Sequence, residues 1–372
     1  MPQSPLKIVL LFGGISGEHS ISVRSAAAIK PALERAGHQV TAVGITKRGR
    51  WLLGDYDALL ERGRTQLVEV ADDSGTAVIL ARTDAGPQLL ATGNGGADDP
   101  ALRSEIDVVF PITHGPGGED GTLQGFLDTV GVPYVGAGAR ASALAMDKLA
   151  MKTLCIGAEL PQVEFISAGN HQPGEVEALV RQTFGFPCFV KPANLGSSVG
   201  ITRVDTPDTL PDALVEARHW DARVIVERAI DAHEIEVAIL GNEAPELSPP
   251  GEIVTGDGFY DFDSKYVDDD AGLVLPADLT DRQGAEIRAT ALRAWELIGC
   301  RGMARADFFI DKARGDVYLN ELNTIPGFTE ISMYPRLWAE TGLDLPSLVN
   351  RLLDLALEEH HAGAGLPGSV GH

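Results

Sequence analysis

The chain has 372 residues, 44% hydrophobic and 22% charged, which excludes wholesale disorder, collagen-like repeats and a disulfide scaffold and leaves room for two or three domains. Thirty basic against 53 acidic residues give a net charge of −23, a surface that repels phosphate backbones and anionic lipid heads, so neither nucleic-acid nor membrane partners are expected. Any anionic substrate must be met by a local concentration of Lys, Arg, metal or backbone N–H groups. Cys155, Cys188 and Cys300 are widely spaced among apolar neighbours and show no metal-site spacing, as buried thiols in a reducing cytosol would. The apolar run at 8–12 is shorter than the roughly 7–15 residues of a signal-peptide core, and no run approaches the ~20 residues of a spanning helix. A soluble cytoplasmic protein is expected.

In chain order, "KIVLLF" (7–12) predicts a buried parallel strand, followed by a Gly-rich turn, a helix over about 22–36 ended by Gly37, and a strand at 39–45. Residues 54–104 are acidic, Gly-rich and predicted irregular. "IDVVFPI" (106–112) is a third strand, running through "THGPGGEDG" into a helix at about 122–130. This alternation predicts an open α/β layer over residues 1–140. A helix at about 142–156, the strand–glycine loop–strand "PCFVKPANLGSSVGITRV" (187–204), a helix near 208–218 and strands at 223–230 and 234–240 predict a compact α+β unit over 141–240. The remainder, 241–372, holds a polar aromatic loop (255–272), a long helix at about 280–298, strands at 303–310 and 316–323, and two closing helices.

Candidate chemistry concentrates in four places. On the hairpin 303–323, alternate residues share a face, so Arg305 and Asp307 point with Glu321 and Asn323. A symmetric connection would set 305 opposite 321 and leave Asp307 and Glu321 on a diagonal, within reach of one ion. Oxygen donors alone suit Mg²⁺ rather than zinc, and Glu321 could bridge two ions. The same face would also serve as a solvated surface with a cross-strand Arg–Glu pair. Second, Lys191 precedes "LGSSVG", where small residues let amides converge on a phosphate and Ser197 and Ser198 add hydroxyls; an ordinary hairpin turn fits as well. Lys148 offers a second cation, or else a solvated surface charge on its helix. Third, Glu18 and His114 lie in glycine loops after buried strands, where open sheets bind ligands; Glu18 would meet a substrate ammonium or else cap the next helix. Fourth, Glu227 and Glu234 are expected on neighbouring strands, for an adenine and ribose site or for salt bridging with Arg228.

Together, "GGISGEHSIS", "HGPGGEDGTLQG", "DKLAMK", "KPANLGSSVG", "KYVDDD", "GMARADFF" and "NELNTIPGFTEISMYP" resemble, in this order, the D-alanine–D-alanine ligases of the ATP-grasp superfamily, from about residue 7 to 350. The resemblance implies three domains, an N-terminal substrate-binding α/β layer (1–140), a central ATP-grasp subdomain (141–240) and a C-terminal one (241–372), with 255–272 as a lid. It implies that Lys148, Lys191 and Ser198 bind ATP phosphates, with Lys265 reaching in from the lid. Glu227, Ile230 and Glu234 would hold adenine and ribose, although Arg228 and Ala229 replace the Lys and aromatic residue of many relatives. Asp307, Glu321 and Asn323 would bind two Mg²⁺ ions, with Mn²⁺ as a substitute. Glu18 would take the ammonium of the first D-alanine, linked through Ser197 to Tyr266, with His114 nearby. Arg305, Ser332 and the Gly327 amide would surround the second D-alanine and the acyl intermediate. The implied activity is ATP-dependent synthesis of D-alanyl-D-alanine for peptidoglycan by a homodimer. Rivals are D-lactate- or D-serine-using ligases, another ATP-grasp carboxylate–amine ligase or carboxylase, and a non-catalytic nucleotide-binding module.

Overall fold

The computed structural model describes residues 4–92, 102, 105–197, 199–254 and 272–364. The apolar run at 8–12 is almost wholly buried and forms the centre of β1 (Lys7–Gly13). After it come α1 (His19–Arg35), β2 (Gln39–Ile45), β3 (Trp51–Leu53), α2 (Asp57–Gly63), β4 (Thr76–Thr83), β5 (Gly86–Ala91) and β6 (Val108–Pro111). The six strands form one sheet in the order β5-β4-β3-β2-β1-β6, with β1 parallel to both neighbours. Residues 54–92 are therefore not irregular as predicted. In "TAVILART", Val78 and Leu80 are buried while Ile79 is exposed; acidic and Gly-rich flanks mask that strand period in the sequence.

Helices α3 (Thr122–Val130), α4 (Ala139–Met146) and α5 (Lys148–Gly157) follow. The single helix predicted at 142–156 is split at Asp147, an extended residue whose side chain accepts from the Ala150 amide. A four-stranded sheet of β7 (Phe165–Ser167), β8 (Cys188–Pro192), β9 (Thr202–Val204) and β10 (Val224–Arg228), in the order β7-β10-β8-β9, packs on α6 (Pro173–Thr183) and α7 (Leu210–Trp220).

The predicted unit 141–240 differs from this arrangement at both ends. The strand β11 (Ala232–Gly241) pairs along its whole length with β15 (Gly302–Asp311), from Ala232↔Asp311 to Gly241↔Gly302. It joins a sheet with β12 (Glu246–Leu247), β13 (Gly251–Val254), β14 (Gly272–Val274) and β16 (Val317–Asn323). Glu227 and Glu234, expected on neighbouring strands, thus lie in different sheets. Ala141, Ala145, Met151 and Cys155 of α4 and α5 also pack in this third sheet's core, with Trp295 of α8 (Asp281–Ile298) and Phe308. Their small apolar side chains fill the space beneath the long strands.

The chain closes with α9 (Met333–Ala339) and α10 (Leu345–Ala364). These helices share one apolar core with the first sheet: Phe110 meets Phe328 edge-on at 6.4 Å, and Phe328 meets Tyr334 at 5.4 Å. The N-terminal layer is thereby fixed against the C-terminal sheet, and a cleft remains where the loops of all three sheets converge.

Candidate active site

At one end of the cleft, Glu18 sits at the N-cap position of α1 but makes no side-chain cap bond. Its carboxylate instead accepts a hydrogen bond from the Ser197 hydroxyl, 179 residues away. Ser197 has a left-handed backbone, φ 50°, which turns the glycine loop toward Glu18. A Cβ at Gly115 would lie 2.7 Å from a Glu18 oxygen, at φ +73°, so only glycine lets the two loops approach this closely. Beside them His114 is buried, its Nδ1 donating to the Ile325 carbonyl at 3.1 Å and its Nε2 3.2 Å from Ser25 Oγ. Burial disfavours its charge, but Glu119 and Glu18 outweigh that and raise its pKa above its ordinary value. Ser25 Oγ also accepts from the Phe328 amide at 3.3 Å, so α1 touches the Pro326–Thr329 loop directly.

The other end is the β15–β16 hairpin. The expected register is two residues out at the site: Arg305 faces Asn323 and Asp307 faces Glu321, with a bulge between Asp307 and Phe308. Because the displacement is even, all four side chains keep a common face, and the predicted diagonal becomes a direct pair. Two carboxylates directly opposed repel each other unless a cation lies between or beside them. Arg305 supplies one, through Nε to Asp307 Oδ1 and Nη2 to Oδ2, both at 2.7 Å, so the expected Arg305–Glu321 alternative is replaced by an Arg305–Asp307 fork. Asn323 Nδ2 donates to the same Asp307 Oδ2 at 2.8 Å, leaving its carbonyl oxygen for other partners. Glu236 Oε2, from β11, lies 3.0 Å from Arg305 Nε. These acids hold the Arg305 pKa well above its ordinary value against the burial that lowers it. Gly327 and Ser332 lie between the two ends. A Cβ on Gly327 would come 2.8 Å from Ser332 Oγ, which the Thr329 amide already engages at 3.0 Å.

A cluster of lysines adjoins Glu321. Lys148 Nζ donates to the Leu195 carbonyl at 2.7 Å and lies 3.4 Å from Glu321 Oε2. Lys191 Nζ is 2.6 Å from Glu227 Oε2, and Lys152 Nζ is 3.4 Å from Glu227 Oε1. Burial pushes the Glu227 carboxyl up, but Lys152 and Lys191 prevail and hold it at about 2. Arg228, expected as a partner of these acids, pairs with Glu164 at 2.7 Å. Glu234 lines the cleft, and Ile230 is half-buried between β10 and β11. Ser198, Lys265 and Tyr266, and the expected lid up to residue 271, lie outside the described residues.

Residues 7–137 match the family description "D-ala D-ala ligase N-terminus" and residues 154–354 match "D-ala D-ala ligase C-terminus". The chain belongs to the D-alanine–D-alanine ligase family. It is 45% identical over 359 residues to a D-alanine–D-alanine ligase of Thermoanaerobacter sp. (strain X514), covering 95% of this chain and 97% of the relative. A Chlorobium limicola relative of the same name is 42% identical over 366 residues, 96% of this chain and 99% of the other. The structure of the D-alanine–D-alanine ligase from Coxiella burnetii superposes with a TM-score of 0.81 at 34% identity, covering 97% and 96% of the two chains. The VanG D-Ala:D-Ser ligase from Enterococcus faecalis superposes with a TM-score of 0.80 at 29% identity, covering 95% and 100%. The fold of this D-alanine–D-alanine ligase family member is the ATP-grasp architecture of those neighbours.

Family membership implies use of ATP and a divalent metal, and the hairpin fits such an ion. Among the described residues no three His, Cys, Asp or Glu side chains form a metal cluster. Two opposed carboxylates and an amide oxygen instead suit a hard cation that fills its remaining positions with phosphate oxygens and water. Two residues of the site were missed in the sequence. Lys152 lies one helical turn from Lys148, and Glu236 lies two residues from Glu234 on one strand face. Both spacings were available as signals. Nothing local indicated that either side chain would be buried among charges.

Proposed function

We propose that this chain joins two D-alanine molecules to D-alanyl-D-alanine for peptidoglycan precursor synthesis, converting ATP to ADP and phosphate. The observation that carries this reading is the convergence, in one cleft, of a buried acid for an ammonium (Glu18) with the Arg305–Asp307–Glu321–Asn323 face and the Gly327–Ser332 loop. Glu18, tied to Ser197, holds the ammonium of the first D-alanine; His114 supports that loop from beneath. The carboxylate of the first D-alanine attacks the γ-phosphoryl group, the bond to the β-phosphate oxygen breaks, and ADP and D-alanyl phosphate result. Lys148, Lys191, Ser198 and Lys265 bind the phosphates, while Glu227, Ile230 and Glu234 hold adenine and ribose. Asp307, Glu321 and Asn323 hold Mg²⁺, two ions in this reading with Mn²⁺ as a substitute, and bound metal supplies neutralisation of charge on the phosphoryl oxygens. The ammonium of the second D-alanine gives a proton to water, and the resulting amine attacks the acyl carbon. Arg305 and the Gly327 amide then stabilise the tetrahedral oxyanion until phosphate leaves, and Ser332 orients the second substrate. Acyl phosphates hydrolyse in water, so a cover is required, and residues 255–272 with Tyr266 are assigned that part. Three domains with β11 counted to the C-terminal one, a cytoplasmic setting where ATP is available, and a homodimer belong to the same reading; light scattering decides the last.

The test is phosphate release from Mg-ATP with D-alanine, L-alanine, or D-alanine plus D-lactate or D-serine, with products identified by mass. Release that requires D-alanine and yields D-alanyl-D-alanine is expected; a mixed product would transfer the chain to a depsipeptide or D-serine branch. Glu321→Gln is expected to lower turnover by about a hundredfold or more, the scale of losing one electrostatic group aimed at a developing charge. Turnover within threefold of the parent would remove Glu321 from the site.

A further inference from the structure

We propose that Lys152 is a positioning residue, the buried counter-ion that keeps Glu227 in place when Lys191 turns from it to the nucleotide phosphates. This rests on the ligase reading, in which Lys191 binds phosphate. Lys148 and Lys152 stand one turn apart on α5 and face the same way, yet their surroundings differ. Lys148 reaches the cleft and meets Glu321. Lys152 is 1% exposed and lies behind Glu227, with Gln162 Oε1 at 3.4 Å and the centre of the Phe165 ring at 6.0 Å. Its ammonium is too enclosed to touch a ligand in the cleft.

The two oxygens of Glu227 are divided between two cations. Oε2 takes the 2.6 Å bond from Lys191, whereas Oε1 accepts no hydrogen bond among the described residues and faces Lys152 at 3.4 Å. Glu227 is itself only 2% exposed. Among the described residues, Lys148, Lys152 and Lys191 share the two glutamates Glu227 and Glu321. A bound phosphate competes with Glu227 for Lys191. An unpaired carboxylate at this depth is strongly unfavourable. Without Lys152, Glu227 would retain Lys191 and repel the phosphate; with it, Glu227 stays paired in both states.

The experiment is calorimetric titration with Mg²⁺ and a non-hydrolysable ATP analogue, alongside steady-state kinetics. Lys152→Met is expected to weaken analogue binding and raise KM for ATP by about tenfold, with kcat and KM for D-alanine within about threefold. Lys152→Arg, which keeps the charge, should restore binding to within about threefold. In a Glu227→Gln background the Lys152→Met loss should shrink below about twofold, because no buried anion remains to be balanced. Binding by Lys152→Met within twofold of the parent, or an equal loss in both backgrounds, overturns the proposal. If Lys152→Met alone does not fold, the double variant should still fold and bind within about twofold of Glu227→Gln; failure of the double variant overturns the charge argument. A parent that binds no analogue overturns the ligase reading itself, whereas a parent that binds while Lys152→Met matches it removes only Lys152.

Discussion

His114 shows how a buried side chain can carry charge. Burial alone would hold the imidazole neutral, but Glu119 lies 3.9 Å from Nδ1 and Glu18 adds its field, so the pKa in the folded chain lies above the ordinary 6.5. A raised histidine pKa contributes stability that is complete below the unfolded value and is lost as pH rises through the folded one. His114→Gln is therefore expected to lower Tm more at pH 6 than at pH 9, with the gap from the parent narrowing as pH rises. A gap that stays constant or widens would mean that the imidazole is held neutral. The three thiols behave in the opposite sense: burial pushes Cys155 and Cys188 up to about 11 and Cys300 to about 12, which makes them inert at neutral pH.

At the scale of an element, α5 depends on one carboxylate. Asp147 Oδ1 accepts from the Ala150 amide at 3.0 Å, and Oδ2 accepts from Arg223, which stands just before β10. The same residue starts the helix that displays Lys148 and Lys152 and ties it to the strand that carries Glu227. Asp147→Ala is expected to remove about 1–2 kcal/mol, the usual worth of a lost N-cap, and to lower Tm by about 2–8 °C. Denaturant titration with an unchanged slope would check this, and a loss below about 0.3 kcal/mol would show that Arg223 and solvent replace the cap. The β15–β16 hairpin illustrates what local pattern can convey. Alternation put Arg305, Asp307, Glu321 and Asn323 on one face, and that survived. The pairing partners did not, because the Asp311–Asp316 connection and the bulge after Asp307 each displace the register by one.

For the molecule as a whole, one apolar core joins the first sheet to α9 and α10, while the four-stranded sheet has a core of its own. The Glu18–Ser197 bond crosses from the first sheet's loops to the glycine loop of the four-stranded sheet. Substrate held at Glu18 should therefore stabilise the assembled molecule independently of nucleotide held by the lysines. At a hundred times its dissociation constant a ligand adds about 2.7 kcal/mol. Glu18→Gln is expected to abolish the rise in Tm caused by D-alanine and to preserve the rise caused by Mg-ATP analogue. Loss of both rises would show that Glu18 holds the loops together rather than holding substrate, and loss of neither would remove it from the site.

By itself, the amino-acid sequence determined the features that depend on neighbouring residues. The buried strand at 8–12, the helix at 122–130, the single-faced hairpin and the glycine loops with their acid, imidazole and lysines all follow from period, turn chemistry and composition. The order of its motifs also carried the family. Only the tertiary structure decided which partners those groups meet. Strand β11 left the expected central unit because its hydrogen-bonding edge is shared with β15, a pairing across some seventy residues that no local pattern records. Glu227 received two lysines instead of Arg228, and Arg305 received Asp307 and Glu236 instead of Glu321. The physical reason is that burial makes each charge choose its counter-ion in three dimensions, where the cost of leaving one unpaired outweighs any preference set by adjacency in the chain.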